Sequence, residues 1–226
     1  MDVHITQFNV QLYFRQPVLD SEFLKNAFTA PEGFEANRIT EDYGQHPMQN
    51  TMAFYRQGFR IMPVQSNVLP FRILQVMSYP NSLQNPDSET LECLQYVFSQ
   101  LKELMQVNVE RDVYAVRVVF HSIVTGSSKI HRVLSKLSKI GGIPSLAGKY
   151  VAHKNPMDAV QLVTKTGDEL SQPSWRDIHV SQFNSNSYVV TIFNETDSVA
   201  GSLGFIRDVK QFVLTMMQEM EAASQT

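Results

Sequence analysis

Two long stretches of this chain carry the same order of patterns, and that order limits the folds open to it. Each stretch opens on a period-two strand, passes through a short helix and several strands, and closes on a long amphipathic helix. The first period-two run is Phe8, Val10, Leu12 and Phe14, alternating with Asn9, Gln11, Tyr13 and Arg15. The second is Val116, Val118 and Phe120, alternating with Arg117, Val119 and His121. Such alternation marks a strand with one buried face. The second copy starts about 108 residues after the first, with poor residue identity between them, so it is a repeat of pattern.

In the first stretch Asp20 is placed to cap a short helix carrying Phe23, Leu24, Ala27 and Phe28, which Pro31 and Gly33 close. Strands are expected over 34–43, 51–65 and 68–79, with turn signals at Gln57-Gly58 and Ser66-Asn67. The clearest helix follows, with Asn85 as N-cap, Pro86 at N1 and Asp87 and Glu89 at the positive end of the dipole. Leu91, Leu94, Phe98, Leu101 and Met105 form its stripe, widened by Val97 and Leu104. In the second stretch Ser127 or Ser128 caps a helix with Ile130, Val133, Leu134, Leu137 and Ile140 on one side, ended by Gly141-Gly142 and Pro144. Strands are expected over 149–153, 159–166, 178–183 and 188–193, before a last helix carrying Phe205 to Met220.

The fold class expected from this order is α+β, in two similar halves, 1–110 and 111–226. Nothing between Val107 and Val113 reads as a linker, so the halves are expected to form one compact body. The sequence leaves open whether each half has its own sheet or both share one curved antiparallel sheet with helices on one face. The order of elements is similar to the duplicated saddle of TATA-binding proteins in arrangement alone. None of that family's residue motifs occurs, so the resemblance implies a shape and carries no site residues.

Charged residues make up only 18% of the chain, against roughly 25% in an average domain. Gln, Asn and Ser fill the difference, as in 81–85 and 181–187. Amides and hydroxyls are cheaper to desolvate than ions, so such a surface leans towards a protein partner, itself included. The lone Cys93 excludes an internal disulfide and reads as a buried, inert thiol. The N-terminus lacks a secretion signal and no apolar run reaches the roughly 20 residues of a membrane span. A soluble, cytoplasmic protein is expected.

The histidines, His4, His46, His121, His131, His153 and His179, are scattered without metal-ligand spacing, and no metal or cofactor is expected. There is no G-x-S-x-G elbow, and the acidic pairs Glu41-Asp42 and Asp168-Glu169 point to opposite faces of extended chain. Catalysis is therefore the last of three readings. One charge asymmetry stands out. Between Asp112 and Asp158 there is no acidic residue, while Arg117, Lys129, Arg132, Lys136, Lys139, Lys149 and Lys154 give the interval +7 in a chain of −3. On the 127–140 helix Lys129, Arg132, Lys136 and Lys139 fall within an arc of about 80° at ideal pitch. With Ser127 and Ser128 at the helix start, and Lys149 and Lys154 beyond, they form the candidate site for an acidic partner, an anion or nucleic acid. A pI near 6.1 argues against nucleic acid as the first choice. The expectation is a non-enzymatic intracellular binding or assembly module, self-associating or part of a complex. Nucleic-acid or phosphate-ligand binding through 127–140 is the alternative.

Overall fold

The computed structural model describes residues 1–16, 19, 21–29, 34–41, 49–66, 69–79, 82–126, 130–134, 143–146, 150–155, 159–164 and 175–224. In chain order the elements are β1 (Asp2–Phe14), α1 (Ser21–Thr29), β2 (Glu35–Glu41), β3 (Gln49–Arg56), β4 (Phe59–Ser66) and β5 (Leu69–Ser78). There follow α2 (Pro86–Met105), α3 (Val109–Asp112), β6 (Val113–Thr125) and α4 (His131–Leu134). The chain ends with β7 (Tyr150–Asn155), β8 (Ala159–Thr164), β9 (Trp175–Asn184), β10 (Ser187–Thr196) and α5 (Val199–Ala223). The class is mixed α+β, with one large antiparallel sheet and few helices.

The ten strands run in the order β2-β3-β4-β5-β1-β6-β10-β9-β8-β7. The two long strands β1 and β6 pair at the centre over nearly their whole length. Strands from before α2 lie on one side of that seam and strands from after it on the other. The buried alternation of β1 and β6 faces the same way, and the rings of Phe8 and Phe120 meet at 5.2 Å in the middle of it. Ile192, Ile178 and Leu162 continue the apolar row across β10, β9 and β8. Each fully buried side chain of this kind contributes roughly 1.5–3 kcal/mol over an exposed one.

The helices cover that one face. α5 packs on β1, β6 and β10, α1 on β3, and α2 on β5, while α2 also touches both α1 and α5. Phe205, Ile206, Val209, Val213, Met216, Met217 and Met220 are the buried stripe of α5. In α2 the buried stripe is Thr90, Cys93, Leu94, Val97 and Leu101. It is rotated from the one expected: Leu104 is 52% exposed, because the sheet and α5 approach from the Cys93–Leu101 side. The α2 N-terminus also differs from expectation. Asn85 makes no side-chain cap; the Glu89 carboxylate instead reaches back to accept the N–H groups of Gln84 and Asn85 at 2.8 and 2.7 Å.

Three local features fix the strands. Gly58, at φ 77° in the two-residue β3–β4 turn, supplies a left-handed conformation, and the Leu83 side chain lies where a Cβ would stand. Pro63 in β4 has no N–H to donate, and the β3–β4 ladder runs only from Phe59 to Ile61 on that strand. Where the β1–β5 ladder ends, the buried Ser78 hydroxyl accepts the Phe8 N–H at 2.9 Å. Of the helix expected from Ser127 to Ile140, only the turn His131–Leu134 lies within the described residues. Its apolar side is as read: Ile130, Val133 and Leu134 are buried.

Candidate functional site

The face of the sheet opposite the helices is covered by no helix among the described residues, and its side chains are those of the second alternating set. Register lines them up across the sheet. One row runs Tyr55, Arg60, Met77, Asn9, Val119, Phe193, Asp177. The next runs Gln75, Gln11, Arg117, Glu195, and another Gln7, His121, Thr191, His179, Gln161. Polar side chains dominate these rows, and neighbours satisfy one another. Gln75 Nε2 donates to Asn9 Oδ1 at 3.0 Å, and the Tyr13 hydroxyl donates to Gln11 Oε1 at 2.8 Å. Arg117 bridges from β6 to Glu195 on β10 at 2.7 Å, with its guanidinium 5.6 Å from the Tyr13 ring centre. Gln161 Nε2 donates to Asp177 Oδ2 at 2.8 Å, and His179 Nε2 lies 3.1 Å from the same oxygen.

Arg60, Arg117, Asp177, Glu195 and, at the β2 end of the first row, Glu35 are charged residues of this face, and Arg117 is ion-paired with Glu195. Desolvation shifts two half-buried titratable rings on it, Tyr13 and His121. Burial pushes the Tyr13 hydroxyl above its usual range, partly offset by Arg117, and pushes the His121 imidazole below its usual range. His121 Nδ1 sits 3.0 Å from Thr191 Oγ1, while it is His179 that lies beside the Asp177 carboxylate. Among the described residues these are two separate pairs, not a nucleophile–base–carboxylate chain. No three His, Cys, Asp or Glu side chains converge as a metal site among the described residues, and no described helix is long and apolar enough to cross a membrane.

Of the residues singled out in the basic window, Ser127, Ser128, Lys129, Lys136, Lys139 and Lys149 lie outside the described residues. Arg132 is in the α4 turn, and Lys154 is in β7 opposite Val160. Arg117, the one described base of the window with a described side chain, belongs to the sheet face and is ion-paired. Reading each strand alone misses the face, because Asn9, Gln11, Arg117, His121, Asp177, His179, Thr191 and Glu195 look like ordinary solvent-side positions. The available signal was their type: amides and ions at alternate positions of the two longest strands.

Among the described residues, clefts open beside α2. One of about 370 Å³ includes Arg56, Glu89, Glu92 and Cys93. Burial pushes the Cys93 thiol up to about 12, which keeps it protonated and inert as read from its helical setting. Two more, of about 630 and 430 Å³, meet at Gln106 and Val107 where α2 ends.

No protein-family model matches the chain, and no curated protein matches it in sequence. Among solved structures it is similar to the di-domain ARO/CYC StfQ from the steffimycin biosynthetic pathway, at 11% identity and a TM-score of 0.30, covering 97% of this chain and 98% of that one. It is similar at 9% identity and a TM-score of 0.28 to the di-domain ARO/CYC BexL from the BE-7585A biosynthetic pathway, covering 100% and 99%. A Thalictrum norcoclaurine synthase point mutant in complex with a transition-state analogue matches at 11% identity and a TM-score of 0.29, over 49% of this chain and 94% of that one. At these TM-scores the likenesses carry no argument about fold or activity.

Proposed function

We propose that this protein acts by binding, as a non-enzymatic assembly module whose helix-free sheet face meets a protein surface, a second copy of this chain first of all. The observation that carries the reading is the set of polar rows aligned across neighbouring strands on that face, with Arg117 and Glu195 ion-paired within it. An ion already paired within the face costs less to desolvate than an unpaired one, which favours burial against another protein. The chain's low share of charged residues points the same way. We read residues 1–110 and 111–226 as two similar halves. The support is the strand order, in which β5, β4, β3 and β2 step away from β1 as β10, β9, β8 and β7 step away from β6.

The test is the mass of the purified protein by light scattering at low and high salt, alongside Val189→Arg and Phe183→Asp. Val189 is half-buried on this face, opposite Ile123, and Phe183 is 63% exposed at its β9 end. A protein-only multimer that survives salt and dissociates in these folded variants supports the reading. A wild-type monomer under both conditions overturns self-association.

A second reading rests on the acid-free window, in which Ile130, Val133 and Leu134 are buried. It is nucleic-acid or phosphate-ligand binding through residues 127–140. Absorbance at 260 nm that copurifies and falls away with salt would put it first.

A further inference from the structure

The larger of the paired clefts lies between the C-terminal half of α2 and the first turns of α5, with the α2–α3 connection as its floor. Its volume of about 630 Å³ is that of a site for one small organic molecule. Phe98, Val109, Val199 and Leu203 supply apolar wall, and Lys102 on α2 and Glu110 on α3 are its charged groups.

Two features shape this cleft, the left-handed C-cap of α2 and its charges. Gln106 is the one non-glycine residue at positive φ among the described residues, at 53°. Holding a side-chain-bearing residue there costs of order 1 kcal/mol or more, and it turns the chain so that the buried Val107 and Val109 close the floor. The Val107 N–H then donates to Leu101 O at 3.0 Å and ties the turn to α2. The second feature is charge. Lys102 makes no ion pair among the described residues, and it sits in the last turn of α2, where a cation is favoured. Glu110 makes no ion pair among the described residues either, and it repels an anion from the α3 side, so a bound anion is directed to Lys102.

We infer that this cleft binds a small molecule with an apolar body and one anionic group, the body against Phe98, Val109, Val199 and Leu203 and the anion at Lys102. The inference is independent of the sheet-face reading, since the cleft lies in the helix layer.

The test is fluorescence titration of the native protein with anilinonaphthalene sulfonate, an aromatic body carrying one sulfonate, followed by displacement with decanoate. Saturable one-site binding is expected, displaced by decanoate. Lys102→Glu should weaken it about tenfold, a change of roughly 1.4 kcal/mol. Leu203→Glu, which sets a carboxylate in the apolar wall, should abolish it. Circular dichroism of both variants must match the wild type, and amide shifts in the native protein should centre on Val109 and Val199. Absence of saturable binding overturns the inference, as does equal affinity in both folded variants. Equal affinity for uncharged anilinonaphthalene overturns the anionic requirement.

Discussion

Arg117 and Glu195 stand opposite each other on β6 and β10, and two guanidinium nitrogens, Nε at 2.9 Å and an Nη at 2.7 Å, meet the same carboxylate oxygen. Their side chains keep 37% and 26% of their exposure, so solvent screens the pair. A double-mutant cycle through Arg117→Ala and Glu195→Ala, read by urea unfolding, should give a coupling of about 0.5–1 kcal/mol. High salt should reduce it. A coupling near zero would show that the pair holds register without stabilising the sheet.

His121 makes the fold sensitive to acid. Burial holds its folded-state pKa below the ordinary 6.5. As pH falls below that value, the unfolded chain takes up a proton that the folded one resists, so stability present above 6.5 is lost. Unfolding midpoints from pH 7.5 to 5 should fall more steeply for the wild type than for His121→Gln. Nuclear magnetic resonance titration of the His121 ring should show the depressed pKa directly.

At the other end of the pH scale Cys93 acts in reverse. Its thiol titrates at 9.0 when exposed and at about 12 in the fold. The unfolded chain therefore loses its proton first, and stability declines as pH rises through that window. Cys93→Ala should flatten the decline, leaving a residue of it to the raised Tyr13 hydroxyl. Thiol reagents at pH 8 should modify Cys93 only as fast as the protein opens, and at once in denaturant.

Gly58→Ala meets two obstacles. The backbone there is left-handed, and the new methyl group would overlap Leu83 Cδ2. A loss of about 1–3 kcal/mol is expected in thermal unfolding. Leu83→Ala in the same chain should restore part of it, because only the contact and not the dihedral strain is relieved. Full restoration would mean that the turn tolerates alanine.

Much of the secondary structure was legible in the sequence because it is written in short periods. Phe8, Val10, Leu12 and Phe14 name their buried face without any partner, as Val116, Val118 and Phe120 do. Pro86 with Asp87 and Glu89 marks the start of α2. Expectation and structure part at Leu104 and at Asn85. Leu104 completes the apolar stripe on paper, yet its side chain is 52% exposed. Asn85 has the residue type of a cap, but the Glu89 carboxylate satisfies the same end of the helix.

By itself, then, the sequence determined which segments extend, which coil, and which side of each is apolar, since these follow from spacings of two and of three to four residues. Only the tertiary structure decided the strand order and the rows it creates. Arg117 meets Glu195 across 78 residues of chain, His121 meets Thr191 across 70, and Gln75 meets Asn9 across 66. The polar residues of the helix-free face are unremarkable one strand at a time. Backbone hydrogen bonding between strands fixes their register, and that non-local pairing makes a surface out of them.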